Sequence, residues 1–271
     1  LVIGAPIGVA IGMSSAVSMI CMIPADVSFA TSAQRIFAGS NSFSLIAIPF
    51  FILAGNIMNN GGIATRLVNC AKVISGRMPG ALAQSNVVAN MLFGAISGSG
   101  AAAAAAMGGT IGPLEEKEGY DKNYSTAVNV ASAPVGMLIP PSNTMIVYSS
   151  VAGSVSIAAL FMAGYIPGLL WGGAVMILAG IMAKKRGYQA EQRVPVKVAL
   201  KTFWQAIPSL LLIVIVIGGI LGGIFTATEG SAIAVVYATV LSLIYRAFKI
   251  KDIPRIVLEA AKTTGIITFM I

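Results

Sequence analysis

Phe93-Gly94-Ala95-Ile96-Ser97-Gly98-Ser99-Gly100, followed at once by the alanine run Ala101 to Ala106, sets glycine-rich polar backbone in the middle of a long apolar region. A backbone amide left unpaired in hydrocarbon is costly, so such a break survives only where protein or a water-filled cavity satisfies it. In membrane carriers, interrupted helices of this kind lie at the cargo site.

The surrounding composition is that of a membrane protein. Of 271 residues, 57% are hydrophobic and only 10% charged, with a mean hydropathy of +0.89, against about a quarter charged in an ordinary soluble domain. Several apolar runs match a bilayer interior of roughly 30 Å. Spans are expected near residues 2–23, 43–58, 124–151 (with a break), 157–182, 204–224 and 231–245. Another begins at 256 and is still running at Ile271. With Leu1 at one end and an apolar run at the other, the chain is read as part of a longer polypeptide.

Between the second and third spans lie an amphipathic connector, 63–75, and two shorter apolar pieces, 81–96 and 101–114. At about 1.5 Å per residue the two pieces reach only roughly 24 and 21 Å, short of a crossing. A helical hairpin that enters and leaves by one face fits them better. In the connector, Ile63, Leu67, Ala71 and Ile74 share a stripe that excludes Arg66 and Lys72, a pattern suited to lying along the interface. On this topology the basic loops, from Arg66 to Lys184-Lys185-Arg186 and Arg255, share one face, and only Arg35 falls in a loop on the other. The basic face is then cytoplasmic, with the hairpin opening from it and residues 97–100 near mid-membrane.

A second break follows at Gly136-Met137-Leu138-Ile139-Pro140-Pro141-Ser142-Asn143-Thr144. Two adjacent prolines remove donors and leave carbonyls free one turn upstream, and Ser142, Asn143 and Thr144 add side-chain oxygens beside them. Discontinuous helices meeting at mid-depth offer carbonyls and hydroxyls to a hard cation and helix N-termini to an anion. Sodium with a carboxylate is the natural pair. A proline kink and a small-residue packing face would explain either break alone; two breaks around one hairpin weigh against that.

Other chemistries fare worse. The chain has no histidine, which excludes the commonest proton shuttle, metal ligand and catalytic base. Cys21 and Cys70 lack metal-ligand spacing. The net charge of +8 is spread between apolar spans and points to topology rather than nucleic acid. Gly98-x-Gly100-x-x-Ala103 with Asp121 mimics a dinucleotide fingerprint but lacks the required strand. Asn86, Asn90 and Asn129 either line a pathway or tie helices together. Glu229 suits a cap for a helix starting at Ser231. Residues 4–12 weakly resemble 228–236, and on this topology the two run in opposite senses, as inverted repeats require. A channel or structural subunit, and an intramembrane enzyme, are the rival classes. The second lacks any base, so no catalytic residue is assigned.

In this order, several stretches resemble the large membrane (M) subunit of tripartite ATP-independent periplasmic (TRAP) transporters, DctM-like. They are Gly4 to Ile7, Ile48-Pro49-Phe50-Phe51-Ile52-Leu53-Ala54-Gly55, Ser97-Gly98-Ser99-Gly100, Gly119-Tyr120, Ile139-Pro140-Pro141-Ser142 and Gly222 to Glu229. That family often carries a second serine where Gly100 stands and proline where Ala227 stands. The resemblance implies an all-α integral membrane fold: an inverted-repeat, elevator-type transporter with a re-entrant helical hairpin and discontinuous helices. It implies sodium-coupled uptake of an organic acid, of sialic acid, C4-dicarboxylate or sugar-acid type, without ATP. Implied partners are a periplasmic substrate-binding protein and a small Q subunit, fused or separate, in the bacterial inner membrane. Carried onto this chain, sodium would be held by Ser97, Gly98, Ser99, Pro140, Ser142 and Asn143, and substrate by Ser99, Gly100, Asn143 and Thr144. The expected organisation is scaffold spans and connector (1–80), hairpin and broken helix (81–156), last span and link (157–230), and the start of a second repeat (231–271).

Overall fold

A computed structural model describes residues 7–41, 43–153, 155–188, 190, 195–247 and 250–270, and every regular element among them is helical. The helices are α1 (Ile7–Ile20), α2 (Ala25–Ser40), α3 (Ala47–Asn60), α4 (Ile63–Ser75), α5 (Ala81–Ser97), α6 (Gly100–Thr110), α7 (Gly112–Lys117), α8 (Lys122–Ser132), α9 (Val135–Leu138), α10 (Asn143–Ala152), α11 (Ile157–Lys185), α12 (Val196–Leu221), α13 (Ala227–Ile244) and α14 (Ile253–Met270). Among the described residues, four helical stretches are long and apolar enough to cross a membrane: Phe43–Asn60, Ile157–Lys185, Val196–Leu221 and Ala227–Ile244. A fifth candidate is the pair Lys122–Leu138 and Asn143–Ala152, bent by 49° at its break.

The length of the apolar runs explains the long helices, and the prolines discriminate among them. Pro167 inside α11 and Pro208 inside α12 leave both helices continuous, whereas Pro140-Pro141 ends one helix and starts another. A single proline removes one donor that neighbouring helices can compensate, but two in succession leave no turn to carry the ladder across. The Pro208 carbonyl accepts a hydrogen bond from the Tyr237 hydroxyl of α13 at 2.8 Å, which ties the two helices together at that turn.

Alpha-helix α5 is the hub. It packs against α4, α6, α8, α9 and α11, while α3 is covered by α13 and α14. Asn129 of α8 shows how α5 and α6 pair: its Oδ1 accepts from Asn90 of α5 at 3.0 Å and its Nδ2 donates to the Ala104 carbonyl of α6 at 2.9 Å. Asn90 and Ala104 are equidistant in sequence from Ser97, so the two arms fold back on each other as a hairpin. Asn90 also donates to Asn86 Oδ1 and Ser132 Oγ, both at 2.8 Å. These asparagines thus tie the helices together, and Asn86 and Asn129 also line a cavity beside them.

Three expectations need correction. The span at 2–23 is described from residue 7 and its helix ends at Ile20; Pro24 then caps a separate helix, α2, which carries Arg35. Arg35 therefore does not mark a loop; the polar residues Ser28, Thr31, Ser32 and Gln34 hide the helical period. The connector has the expected bounds, yet Ile63, Leu67 and Ala71 are fully buried and α4 packs on α5 and α12. Only Ile74 faces outward, and Arg66 lies over the Tyr245 ring at 3.3 Å. Finally, α13 begins at Ala227, four residues before Ser231, because Thr226 and Glu229 form a reciprocal capping box. Capping is thus what Glu229 does, at an earlier helix start. The N-terminal half of the proposed repeat includes residues 4–6, which lie outside the described residues.

Candidate functional site

The hairpin tip is built from two opposed caps. α5 ends at Ser97, and Gly98 follows in the left-handed region (φ 62°, ψ 12°), its N–H donating to the Gly94 carbonyl at 2.8 Å. Glycine is required there twice over. The conformation disfavours a side chain, and a Cβ would stand 3.0 Å from the Pro141 carbonyl oxygen and 3.1 Å from the Asn143 nitrogen. Ser99 then caps α6 in extended conformation, its Oγ accepting from the Ala102 N–H at 3.3 Å. Ser97 and Ser99 also exchange long bonds of 3.4 Å between the Ser97 hydroxyl and the Ser99 backbone.

The second break repeats the device. α9 ends at Leu138; Pro140 and Pro141, joined by a cis peptide bond, lead to Ser142, which caps α10 by accepting from Met145 N–H at 3.4 Å. The same hydroxyl donates to the Met137 carbonyl at 2.5 Å, and Ile139 N–H donates to Val135 O at 2.9 Å. Of the two carbonyls one turn upstream that the prolines would free, those of Gly136 and Met137, the second is therefore occupied within the break.

The two breaks touch. Asn143 N–H, at the start of α10, donates to the Gly98 carbonyl at 3.3 Å, and Asn143 Nδ2 reaches the Ser97 carbonyl at 3.5 Å. Asn143 is buried, and its Oδ1 has no hydrogen-bond partner. Ser97, Gly98, Pro140, Pro141 and Ser142 are buried as well, and Ser99 is half-buried. One turn before the tip, Gly94 lies against Gly136, so close that a Cβ on Gly94 would fall 2.2 Å from the Gly136 Cα. Gly100 packs beneath Met137 and Ala133: a Cβ there would meet Met137 Sδ at 2.9 Å, so a serine in that place would require the methionine to move.

The tip and break adjoin α3, α12 and α13 across a space of about 10 Å³ lined by Phe51, Ile96, Pro141 and Leu212 among others. That is room for roughly one water molecule, far too small for an organic acid. Thr144 is separate from this junction. It is exposed and lines an apolar hollow of about 320 Å³ with Met137, Tyr148, Leu160 and Trp171. No strand occurs among the described residues, which removes the dinucleotide fingerprint. Likewise among them, no cluster of three or more His, Cys, Asp or Glu residues could hold a metal ion.

Over residues 1–271 the chain matches the family described as "Tripartite ATP-independent periplasmic transporter, DctM component". It belongs to that family. Among similar proteins, YgiK of Salmonella typhimurium is 51% identical over 271 residues, all of this chain and 62% of that protein. The C4-dicarboxylate TRAP transporter large permease protein DctM of Rhodobacter capsulatus is 35% identical, over 99% of this chain and 64% of its own. The sialic acid TRAP transporter large permease protein SiaM of Vibrio cholerae is 36% identical, over 99% and 62%. The chain thus spans 62% to 64% of the length of these relatives. It is a large-permease sequence of TRAP type, a multi-pass protein of the bacterial inner membrane. In this TRAP permease, Ala227 occupies the first position of α13, where the family's proline would also fit.

The sequence reading missed Glu115. It sits in the run Glu115-Glu116-Lys117-Glu118, which looks like a solvated loop, yet it is 1% exposed. The signal was present upstream: Ala103, Met107, Ile111 and Glu115 recur every four residues, and all four are buried.

Proposed function

We propose that the chain forms part of a sodium-coupled secondary-active carrier. It would take up a small organic acid handed over by a periplasmic binding protein, alongside a small Q subunit, fused or separate. ATP has no part in this reading. The carrying observation is the junction at which Asn143 bridges to the carbonyls of Ser97 and Gly98 while its own Oδ1 stays unpartnered. Sodium placed among those oxygens and Ser99 would draw the tip and the break together. The N-termini of α6 and α10, which start on either side of the junction, favour negative charge beside it. The relatives' names favour a dicarboxylate or sialic acid as cargo. The cargo pocket, the inverted repeat and the elevator movement belong to the whole protein, of which this chain would supply one hairpin and one broken helix.

A channel needs a continuous polar path. Around the tip the neighbouring space is instead small and apolar, which favours a carrier.

The test is uptake by the full-length protein in vesicles with an imposed sodium gradient, with and without the binding protein. Accumulation that needs both supports the reading; passive flux indicates a pore. Asn143→Ala and Ser99→Ala are expected to lower uptake and to raise the sodium concentration for half-maximal transport, with the protein still folded. Unchanged sodium dependence in both variants removes these residues from the ion site.

A further inference from the structure

A second polar centre lies at the other end of the hairpin, where the surface between α6, α7 and α8 is notched by a cavity. This cavity, about 360 Å³, is lined by Asn86, Glu115, Glu116, Tyr120, Lys122 and Ser125 among others. Glu115, on the short helix α7, is 1% exposed, and neither of its carboxyl oxygens has a hydrogen-bond partner. Asn86 Nδ2 and Ser125 Oγ are also buried without partners. Both stand close enough to steady a charged carboxylate, but neither reaches hydrogen-bonding geometry with it. From Asn86 a bonded row runs along the inside of the hairpin to Asn90, Asn129 and Ser132, one turn short of the Gly94–Gly136 contact.

We propose that Glu115 is a proton-binding site of this permease, loaded from water in the adjoining cavity and independent of the ion site at the hairpin tip.

An ionised carboxylate without a paired cation is expensive to bury, whereas a neutral carboxyl is not. The charged and titratable groups around it do not neutralise it. α5 and α6 carry none; α7 and the turn after it carry Glu116, Lys117, Glu118, Tyr120 and Asp121, and α8 carries Lys122 and Tyr124. Lys122 is exposed, and the ion pair found in this region joins Asp121 to Arg186. Burial therefore pushes the Glu115 carboxyl above the usual carboxylate range, with Ser125 and Asn86 opposing only in part. The step is simple protonation: a water-borne proton adds to one carboxylate oxygen, with no other bond made or broken. Because the acid's affinity for protons is higher folded than unfolded, its stabilising effect is fully present at low pH. It is lost as pH rises through the folded pKa.

The test uses the full-length permease in lipid, followed by infrared difference spectroscopy across a pH titration. The expected result is a protonated-carboxyl band that titrates above the ordinary glutamate range and vanishes in Glu115→Gln. In that variant the fall in thermal stability with rising pH should flatten, and the sodium concentration for half-maximal binding should stay within twofold of the parent. Absence of a titrating band above that range overturns the proposal. So does a large loss of sodium affinity in Glu115→Gln, which would make the carboxylate an ion ligand instead. Should that variant fail to fold, Ser125→Ala removes a neighbour that favours the charged form and is expected to move the same band to higher pH; an unmoved band counts against the site. None of these readouts needs transport, so failure of the tip variants and failure of this inference are separable.

Discussion

Gly94→Ala probes whether the packing of the hairpin on the broken helix holds the two breaks together. A Cβ on Gly94 would stand 2.2 Å from the Gly136 Cα, 3.1 Å from its nitrogen and 3.3 Å from its carbonyl carbon, where ordinary contact is 3.4–4 Å. The obstacle is backbone, so no rotamer relieves it, and the helices must part by roughly 1.2–1.8 Å to restore normal contact. Gly94 lies one turn from Gly98, whose carbonyl receives the Asn143 N–H at only 3.3 Å. A separation of that size carries the pair beyond hydrogen-bonding range. Overpacking of this kind costs about 1–3 kcal/mol, while replacing glycine by alanine inside a helix returns up to about 1 kcal/mol. The net destabilisation is therefore about 0–3 kcal/mol, and the variant is expected to insert and fold. On the carrier reading, its defect should appear in function, as a several-fold rise in the sodium concentration for half-maximal uptake by the full-length protein. Gly109→Ala is the matched control: it lies in α6, a Cβ there meets nothing within 4 Å, and both stability and sodium dependence should be unchanged or slightly improved. If Gly94→Ala keeps the parent's sodium dependence to within twofold, contact at this point does not govern the junction.

Two further outcomes follow from the helix ends. Thr226→Ala removes the cap of α13 and its half of the capping box with Glu229, so a loss of about 0.5–2 kcal/mol is expected in thermal or denaturant unfolding; a change within error would mean that the threonine hydroxyl contributes nothing to the cap. Asp121, outside the spans, has its carboxyl held below the usual range, first by the Tyr124 N–H it caps at 2.8 Å and then by Arg186 at 3.2 Å. A depressed carboxyl contributes stability above its unfolded pKa and loses it as pH falls through the folded one. Acidification below the ordinary aspartate range should therefore abolish the difference between parent and Asp121→Ala, while Asp121→Asn, still able to cap, should lie between them at neutral pH.

Much of the architecture was legible because membrane helices must satisfy their backbone internally. The first hairpin arm was expected at 81–96 and is found at Ala81–Ser97; the connector was expected at 63–75 and is found there. Paired prolines and a Ser-Gly-Ser tip are local statements about donors and φ, and local rules read them. What escaped depended on partners distant in sequence. α2 was lost because its polar residues break the apolar period. The connector was placed at the interface because nothing in residues 63–75 reveals that α5 and α12 cover them. Thr144 was grouped with Asn143 because they are adjacent, but consecutive residues of a helix point about 100° apart, and Thr144 faces the outer hollow instead. Glu115 was hidden by its charged neighbours, although its four-residue step from Ile111 marked the buried face.

The weakness of the direct bonds at the tip is itself informative about what a coupling ion could do there. Asn143 holds Gly98 and Ser97 at 3.3 and 3.5 Å, the long end of hydrogen-bonding range. Had these contacts been short and complete, the breaks would stay joined with or without an ion, and sodium would have no difference between states to act on. A ligand shifts an equilibrium only by the difference in its affinity for the two conformations. A junction closed loosely, with one buried amide oxygen still unpartnered, leaves that difference to be supplied from outside the chain. On the carrier reading, the same arrangement makes the coupling reciprocal: whatever anion stabilises the closed junction must raise sodium affinity by the factor by which sodium raises its own. Strengthening the direct contacts should then weaken coupling even as it stabilises the fold.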